Sequence, residues 1–229
     1  MIEGKKEFYG GLGMMVAFTV VLFIMFAPIF KGKNGLEYLD ELYNTISKNS
    51  AYYIPEVKKG VEDKFKGNSV DVTLKMADEK QAGQTAPLFK SGGASVSTSG
   101  AELKVSGDLA KILENCLADA EDMYRNNGQA VSGKYGYDEK RVLFNWWNAL
   151  KAMDKNLKTQ KKFKEAKMVT TVRKKAVETS YNYYKIEPQK IDDRIGMVTF
   201  SLIFYVVYTV WYGFAILFMF EGWGMKLEH

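Results

Sequence analysis

Charge disappears from the chain twice. Residues 8–30, FYGGLGMMVAFTVVLFIMFAPIF, carry no formal charge over 23 positions, and residues 195–220, IGMVTFSLIFYVVYTVWYGFAILFMF, carry none over 26. A helix rises about 1.5 Å per residue and a hydrocarbon core is roughly 30 Å thick, so each stretch predicts a membrane-spanning helix. Lys5, Lys6, Lys31 and Lys33 flank the first, while Arg194 and Glu221 bound the second. A cleaved signal peptide shares the basic start and apolar run. This run is too long for such a leader, and Phe26-Ala27-Pro28 is not a small-x-small cleavage site, so it reads as an uncleaved anchor. Trp211, Tyr212 and Trp223 lie near the expected headgroup level at the C-terminal end of the second span.

The segment between the spans has the periodicities of a soluble domain. Leu36, Leu39, Leu42, Tyr43 and Ile46 predict a short amphipathic helix over 35–48, and Pro55 opens another through Val57, Val61 and Phe65. The period then changes to two. Val70, Val72, Leu74 and Met76 alternate with polar neighbours, as do Ala94, Val96 and Thr98 and then Ala101, Leu103 and Val105 around Ser99-Gly100, predicting a strand and a hairpin. Residues 77–93, rich in Gly, Gln, Ser and Thr and containing Pro87, read as a long loop. Helices follow over 108–126, with Asp108 as N-cap and Asn127-Gly128 as stop, over 138–158, and over about 160–184 with a less regular face.

The fold expected is therefore an integral membrane α-helical hairpin of two transmembrane helices enclosing a mainly helical α+β soluble domain with a small antiparallel β-hairpin sheet over about 69–105. The divisions are a short tail 1–7, transmembrane helix 8–30, soluble domain 31–194, transmembrane helix 195–220 and tail 221–229. Both chain ends then share one side of the membrane. Lys185, Lys190 and Arg194 before the second span favour a cytoplasmic middle. The short basic head before the first span and the Ser/Thr/Gly-rich segment favour export. The reading adopted is a bacterial inner-membrane protein with both termini cytoplasmic and the domain extracytoplasmic.

Composition narrows the chemistry. The chain holds one Cys and one His. His229 closes the string Leu227-Glu228-His229, which reads as a vector-encoded tag remnant over 227–229. Without a native histidine there is no Ser-His-Asp or Cys-His catalysis and no His-ligated metal; one Cys permits neither an internal disulfide nor a CxxC pair. No catalytic residue, metal site or cofactor is assigned, and the chain reads as no enzyme. The net charge of +5 is uneven: residues 158–175 are strongly basic through Lys158, Lys161, Lys162, Lys164, Lys167, Arg173, Lys174 and Lys175, against Glu165 alone. Anionic lipid or another polyanion would suit that run. The plainer reading is a solvated face complementing an acidic helix at Glu114, Asp119, Glu121 and Asp122. Nucleic acid is not expected, for lack of any recognition motif.

Two features of the spans bear on assembly. Arg194, Ser201, Tyr205, Tyr208 and Tyr212 fall along one line of the second helix at 100° per residue, a hydroxyl stripe suited to an oligomer interface or a pore. Gly13 and Ala17 form a small-xxx-small pair that admits a close helix neighbour. Cys116 and Trp146-Trp147 read as core residues. The function expected is a homo-oligomeric scaffold or interaction subunit. The alternatives are a two-span channel with a hydroxyl-lined second helix and a ligand-binding sensory module signalling through a partner.

Overall fold

Helix α1, Lys5–Phe26, takes up the first apolar stretch in the computed structural model, which describes residues 2–225. It ends four residues before the expected boundary at 30. Ala27 is extended, ψ 143°, because the residue before a proline is kept out of the helical region. A tight turn follows in which Phe30 and Lys33 exchange both backbone hydrogen bonds, 3.0 and 3.1 Å. Its central residues have φ +55° at Lys31 and +81° at Gly32, the paired positive values of a type I′ turn. The second of these suits a residue without a Cβ. Asn34 and Glu37 then cap each other's backbone N–H, 2.9 and 3.1 Å, and this capping box starts α2, Gly35–Ser50. At the other end of the chain, a 3₁₀ turn Asp192–Arg194 leads into α10, Ile195–Gly222. The chain divides into two compact units, and these elements belong to the first, Met1–Asn49 with Pro188–His229. The tag remnant expected at 227–229 lies outside the described residues.

The second unit, Ser50–Glu187, is a mainly helical α+β domain. Pro55 sits in the first turn of α3, Ile54–Phe65, where its missing N–H costs nothing. Strands β1 (Ser69–Lys75), β2 (Ser95–Ser99) and β3 (Glu102–Asp108) form an antiparallel sheet in the order β1-β3-β2. Val72 stands opposite Val105, and Leu74 opposite Leu103. Val70, Val72, Leu74, Leu103 and Val105 are buried, while Ser69, Asp71, Thr73 and Lys75 face out, the alternation of a sheet with one covered face. The predicted hairpin at Ser99-Gly100 is present, and it carries a third strand beside it.

The expected loop over 77–93 is instead largely helix: α4 spans Glu79–Ser91. Asp78 caps it by accepting the Gln81 N–H at 2.7 Å, and the Gln81 side chain accepts from the Ala77 N–H at 3.0 Å. Pro87 lies within the helix. Burial of Ala82, Thr85, Ala86, Leu88 and Phe89 outweighs its missing hydrogen bond and the weak helix propensity of the segment.

Helix α5, Leu109–Tyr124, begins at the predicted cap, with Asp108 accepting from Ala110 N–H at 2.8 Å. A short helix α6, Gly128–Tyr135, follows where only a stop was expected. Helix α7, Glu139–Thr159, supplies Trp146, Leu150 and Met153 to the core. The final helical region is α8 (Phe163–Val172), a π-helical stretch Arg173–Glu178 and a last turn α9 (Thr179–Asn182). One wide turn shifts the phase of the buried face between Val172 and Ala176. The irregular spacing from 160 to 184 has its origin there.

Candidate functional site: the seam of the apolar hairpin and the polar groups around it

Helices α1 and α10 pack side by side in antiparallel fashion, and the residues that let them do so recur every seven positions. On α10 they are Ser201, Tyr208, Ala215 and Gly222; on the facing side they are Gly4 at the α1 N-cap, Gly11 and Phe18. A Cβ added at Gly11 would lie 2.7 Å from the Met219 nitrogen and 2.8 Å from the Ala215 oxygen, so only glycine permits this backbone approach. Further along, Phe18 stacks on Tyr208 with ring centroids 4.2 Å apart. A seven-residue repeat is the seam of a left-handed helix pair.

The predicted hydroxyl stripe is divided by this seam. Ser201 is buried, donating to Val198 O at 2.8 Å and lying 2.7 Å from the Tyr43 hydroxyl of α2. Tyr208 packs between Phe18 and Phe204, and its buried hydroxyl has no hydrogen-bond partner. Four residues after each, Tyr205 lies off the seam and is 68% exposed, while the half-open Tyr212 still packs its ring on Phe18 at 5.1 Å. Arg194 stands before the helix with Nε donating to Gln189 Oε1 at 2.9 Å. Gly13 and Ala17 are exposed, and a Cβ at Gly13 would meet nothing within 4 Å; the close contact in the hairpin is made by Gly11. The signal that locates Gly11 is the spacing of small residues at multiples of seven, Gly4 and Gly11 at one end of the chain and Ser201, Ala215 and Gly222 at the other.

The basic run is spread over several environments. Lys158 pairs with Asp154 at 2.8 Å, Lys161 occupies a left-handed turn position at φ +60°, and the Lys162 ammonium reaches Ser69 O at 3.5 Å. Lys164, Lys167 and Lys174 are exposed. Arg173 lies over the Trp147 ring and Lys175 over that of Tyr53, at 5.3 and 5.0 Å.

The acidic helix is not the simple outward face expected as its complement. Asp119 is 1% exposed, with Oδ1 accepting from Lys134 Nζ at 2.7 Å and Oδ2 from Tyr135 Oη at 2.6 Å and Trp146 Nε1 at 2.8 Å. Asp119 sits only about 20° round the helical wheel from buried Ile112, which is how its spacing betrays it. Burial and this carboxylate push the Tyr135 hydroxyl well above its ordinary range, and burial does the same to the Cys116 thiol. Both stay protonated. Glu121, in contrast, is held below the usual glutamate value by the Tyr52 hydroxyl and by Arg125.

A second polar chain runs through the domain: Gln81 Nε2 donates to Asn145, Asn145 Nδ2 to the Tyr137 hydroxyl, and that hydroxyl to Gln84 O, at 3.1, 3.3 and 2.8 Å. These networks tie α4, α5, α6 and α7 together, with their donors and acceptors already engaged. Outside them, a groove of about 560 Å³ opens beside β1, lined by Lys75, Lys151, Lys155, Asn148 and Asn156. The chain matches no protein-family model, and no curated protein or solved structure resembles it closely enough to stand as a relative.

Proposed function

We propose that the chain is a non-enzymatic, two-span protein of the bacterial inner membrane, with both ends cytoplasmic. In this reading it self-associates through its spans and presents the Ser50–Glu187 unit outside the cytoplasm as a scaffold. The membrane part of the reading is supported by α1 and α10, which are long and apolar enough to cross a bilayer and leave most of their surface exposed. Phe200, Leu202, Ile203, Val206, Val207 and Val210 all lie open on α10, a surface costly in water and suited to lipid.

The observation that carries self-association is the exposure of Tyr205 on the outer face of α10. It is 68% exposed, out of step with the seven-residue spacing of Ser201 and Tyr208 and so off the hairpin's own seam, at a depth where the surroundings would be hydrocarbon and a polar group seeks a protein partner. The Gly13–Ala17 face of α1 is likewise unused inside the hairpin. The division of the stripe between seam and outer face supports packing over a continuous water-lined path.

Alkaline carbonate extraction of membranes checks insertion: the chain stays in the pellet. Mass photometry of the full chain in nanodiscs checks assembly, with an oligomer expected and a shift toward monomer in Tyr205→Leu combined with Gly13→Leu. A monodisperse wild-type monomer would overturn the scaffold reading.

A further inference from the structure

Two adjoining cavities lie where the apolar helices end, and they differ sharply in character. The first, about 210 Å³, is enclosed by Val21, Ile24, Leu39, Phe200 and Phe204. The only side-chain hydroxyls in its wall belong to Tyr38 and Ser201, and the Ser201 hydroxyl is engaged by Tyr43 and Val198. The second, about 330 Å³, is lined by Lys31, Lys33, Thr45, Gln189 and Arg194, a volume within the range of roughly 300–1,000 Å³ common to ligand pockets. Phe30 and Tyr38, stacked with centroids 5.7 Å apart, line both cavities and separate them.

The cationic chamber is built by three pieces of chain. The type I′ turn holds Lys31 at its tip. Helix α2 contributes Thr45, whose carbonyl accepts the Gln189 N–H at 3.1 Å and so fastens the segment leading to α10. Gln189 in turn orients the Arg194 guanidinium through Nε, leaving its other N–H groups for a ligand. Glu41 pairs with Lys33, and none of Glu37, Asp40, Asp192 and Asp193 lines the chamber. Lys31 makes no ion pair among the described residues. Lys31 and Arg194 are therefore the two charges lining the chamber that make no ion pair among the described residues, above an apolar slot where α1 ends and α10 begins.

We propose that this pair of cavities binds an anionic glycerophospholipid, with its phosphate between Lys31 and Arg194 and the start of one acyl chain in the slot beside Phe200 and Phe204. The order of chemistries follows the order met by a lipid at the edge of a bilayer, headgroup then chain. The inference rests on the membrane-spanning reading and is separate from the basic run at 158–175.

Native mass spectrometry of the full chain in detergent, with equal amounts of phosphatidylglycerol and phosphatidylcholine of the same acyl length, tests it. The anionic lipid is expected to remain bound preferentially. Lys31→Gln and Arg194→Gln each cut that adduct by about five-fold, the effect of one cation near an anionic headgroup. Leu39→Trp, which fills the slot, removes it, and Lys164→Gln with Lys167→Gln leaves it intact. Equal retention of the two lipids, or a preference that survives the Lys31→Gln/Arg194→Gln pair, would overturn the proposal. So would soluble glycerol 3-phosphate competing as well as the lipid, which would mark a phosphate-ester site without a chain. Lys31 is exposed and Arg194 lies on the surface, so the cation variants decide the matter even if Leu39→Trp lowers the melting temperature. Release of the chain by carbonate with lipid preference retained would sink the membrane-spanning reading alone.

Discussion

The two units bury opposite things. In Ser50–Glu187 the large apolar side chains go inside: Trp146, Phe89, Leu113 and Met123 are fully buried while lysines and carboxylates cover the outside. In the α1–α10 hairpin most large side chains go outside, and Gly11, Ser201, Ala215 and Gly222 occupy the inside beside the one stacked pair Phe18–Tyr208. The first arrangement is what water selects, since each buried aliphatic or aromatic side chain is worth about 1.5–3 kcal/mol. The second is what hydrocarbon would select, in keeping with the proposed membrane insertion. Lipid chains offer apolar side chains no incentive to leave, so helices associate by close backbone contact at small residues. The same contrast governs polar groups. Asp119 lies in a core that would punish an unpaired charge, and three donors surround it; Tyr208 leaves a single neutral hydroxyl unpaired at the seam.

The largest effect expected lies in the soluble unit. Replacing Asp119 with alanine strands the Trp146 N–H and the Tyr135 hydroxyl in the core and releases Lys134. Breaking a buried ionic contact from one side costs about 3–5 kcal/mol. The Lys134 side chain is already 36% exposed and can turn to water, so the low end of that range applies, about 3 kcal/mol. Thermal unfolding of the full chain followed by tryptophan fluorescence reads it directly. Asp119→Asn keeps an acceptor for one donor and recovers part of the loss. A change under about 1 kcal/mol would show that the network is not what holds α5, α6 and α7 together.

Next in size comes the seam. Gly11→Leu forces a side chain into backbone atoms of α10, while Gly13→Leu meets open space. The first is expected to weaken the hairpin by about 1–3 kcal/mol, the usual cost of overpacking, and the second to leave it intact. Titration with a denaturing detergent, monitored by Trp211 and Trp223 fluorescence, separates the two. Equal effects at both positions would remove the distinction between seam and outer face.

Much of this contrast was legible in the chain, because it is a matter of periodicity. Uniform apolarity marks α1 and α10, period two marks β1, β2 and β3, and the three- and four-residue spacing marks α5 and α7. Three features escaped for identifiable reasons. Helix α4 has weak propensity and an internal Pro87, and it exists because the domain core takes up Leu88 and Phe89. The π-helical turn at 173–178 is a phase shift, so a fixed 100° step misreads everything after it. The cavities beside Lys31 and Arg194 join residues more than 160 positions apart, a proximity that no local spacing encodes. Helical spacing puts Arg194 and Ser201 on one stripe; in the fold each lines a different cavity.

The smallest effect tests the exposed side of the comparison, where polar groups meet water. Glu121 accepts from the Tyr52 hydroxyl at 2.7 Å and from Arg125 Nη2 at 2.7 Å and Nε at 3.0 Å, and these contacts lower its pKa from the ordinary 4.5. A carboxylate with a depressed folded pKa adds stability in full above its unfolded value, and that increment disappears as the pH falls through the lowered one. The group is partly open to solvent, which limits the increment to about 0.5 kcal/mol. Glu121→Gln should therefore melt slightly below the wild-type chain at pH 7, and the two curves should converge as acidification carries the pH below the lowered pKa. A gap that persists at the acidic end would mean that Glu121 acts through shape and hydrogen bonding, with its charge contributing nothing, and the solvent-facing rim of this unit would then resemble its interior more closely than its exposure implies.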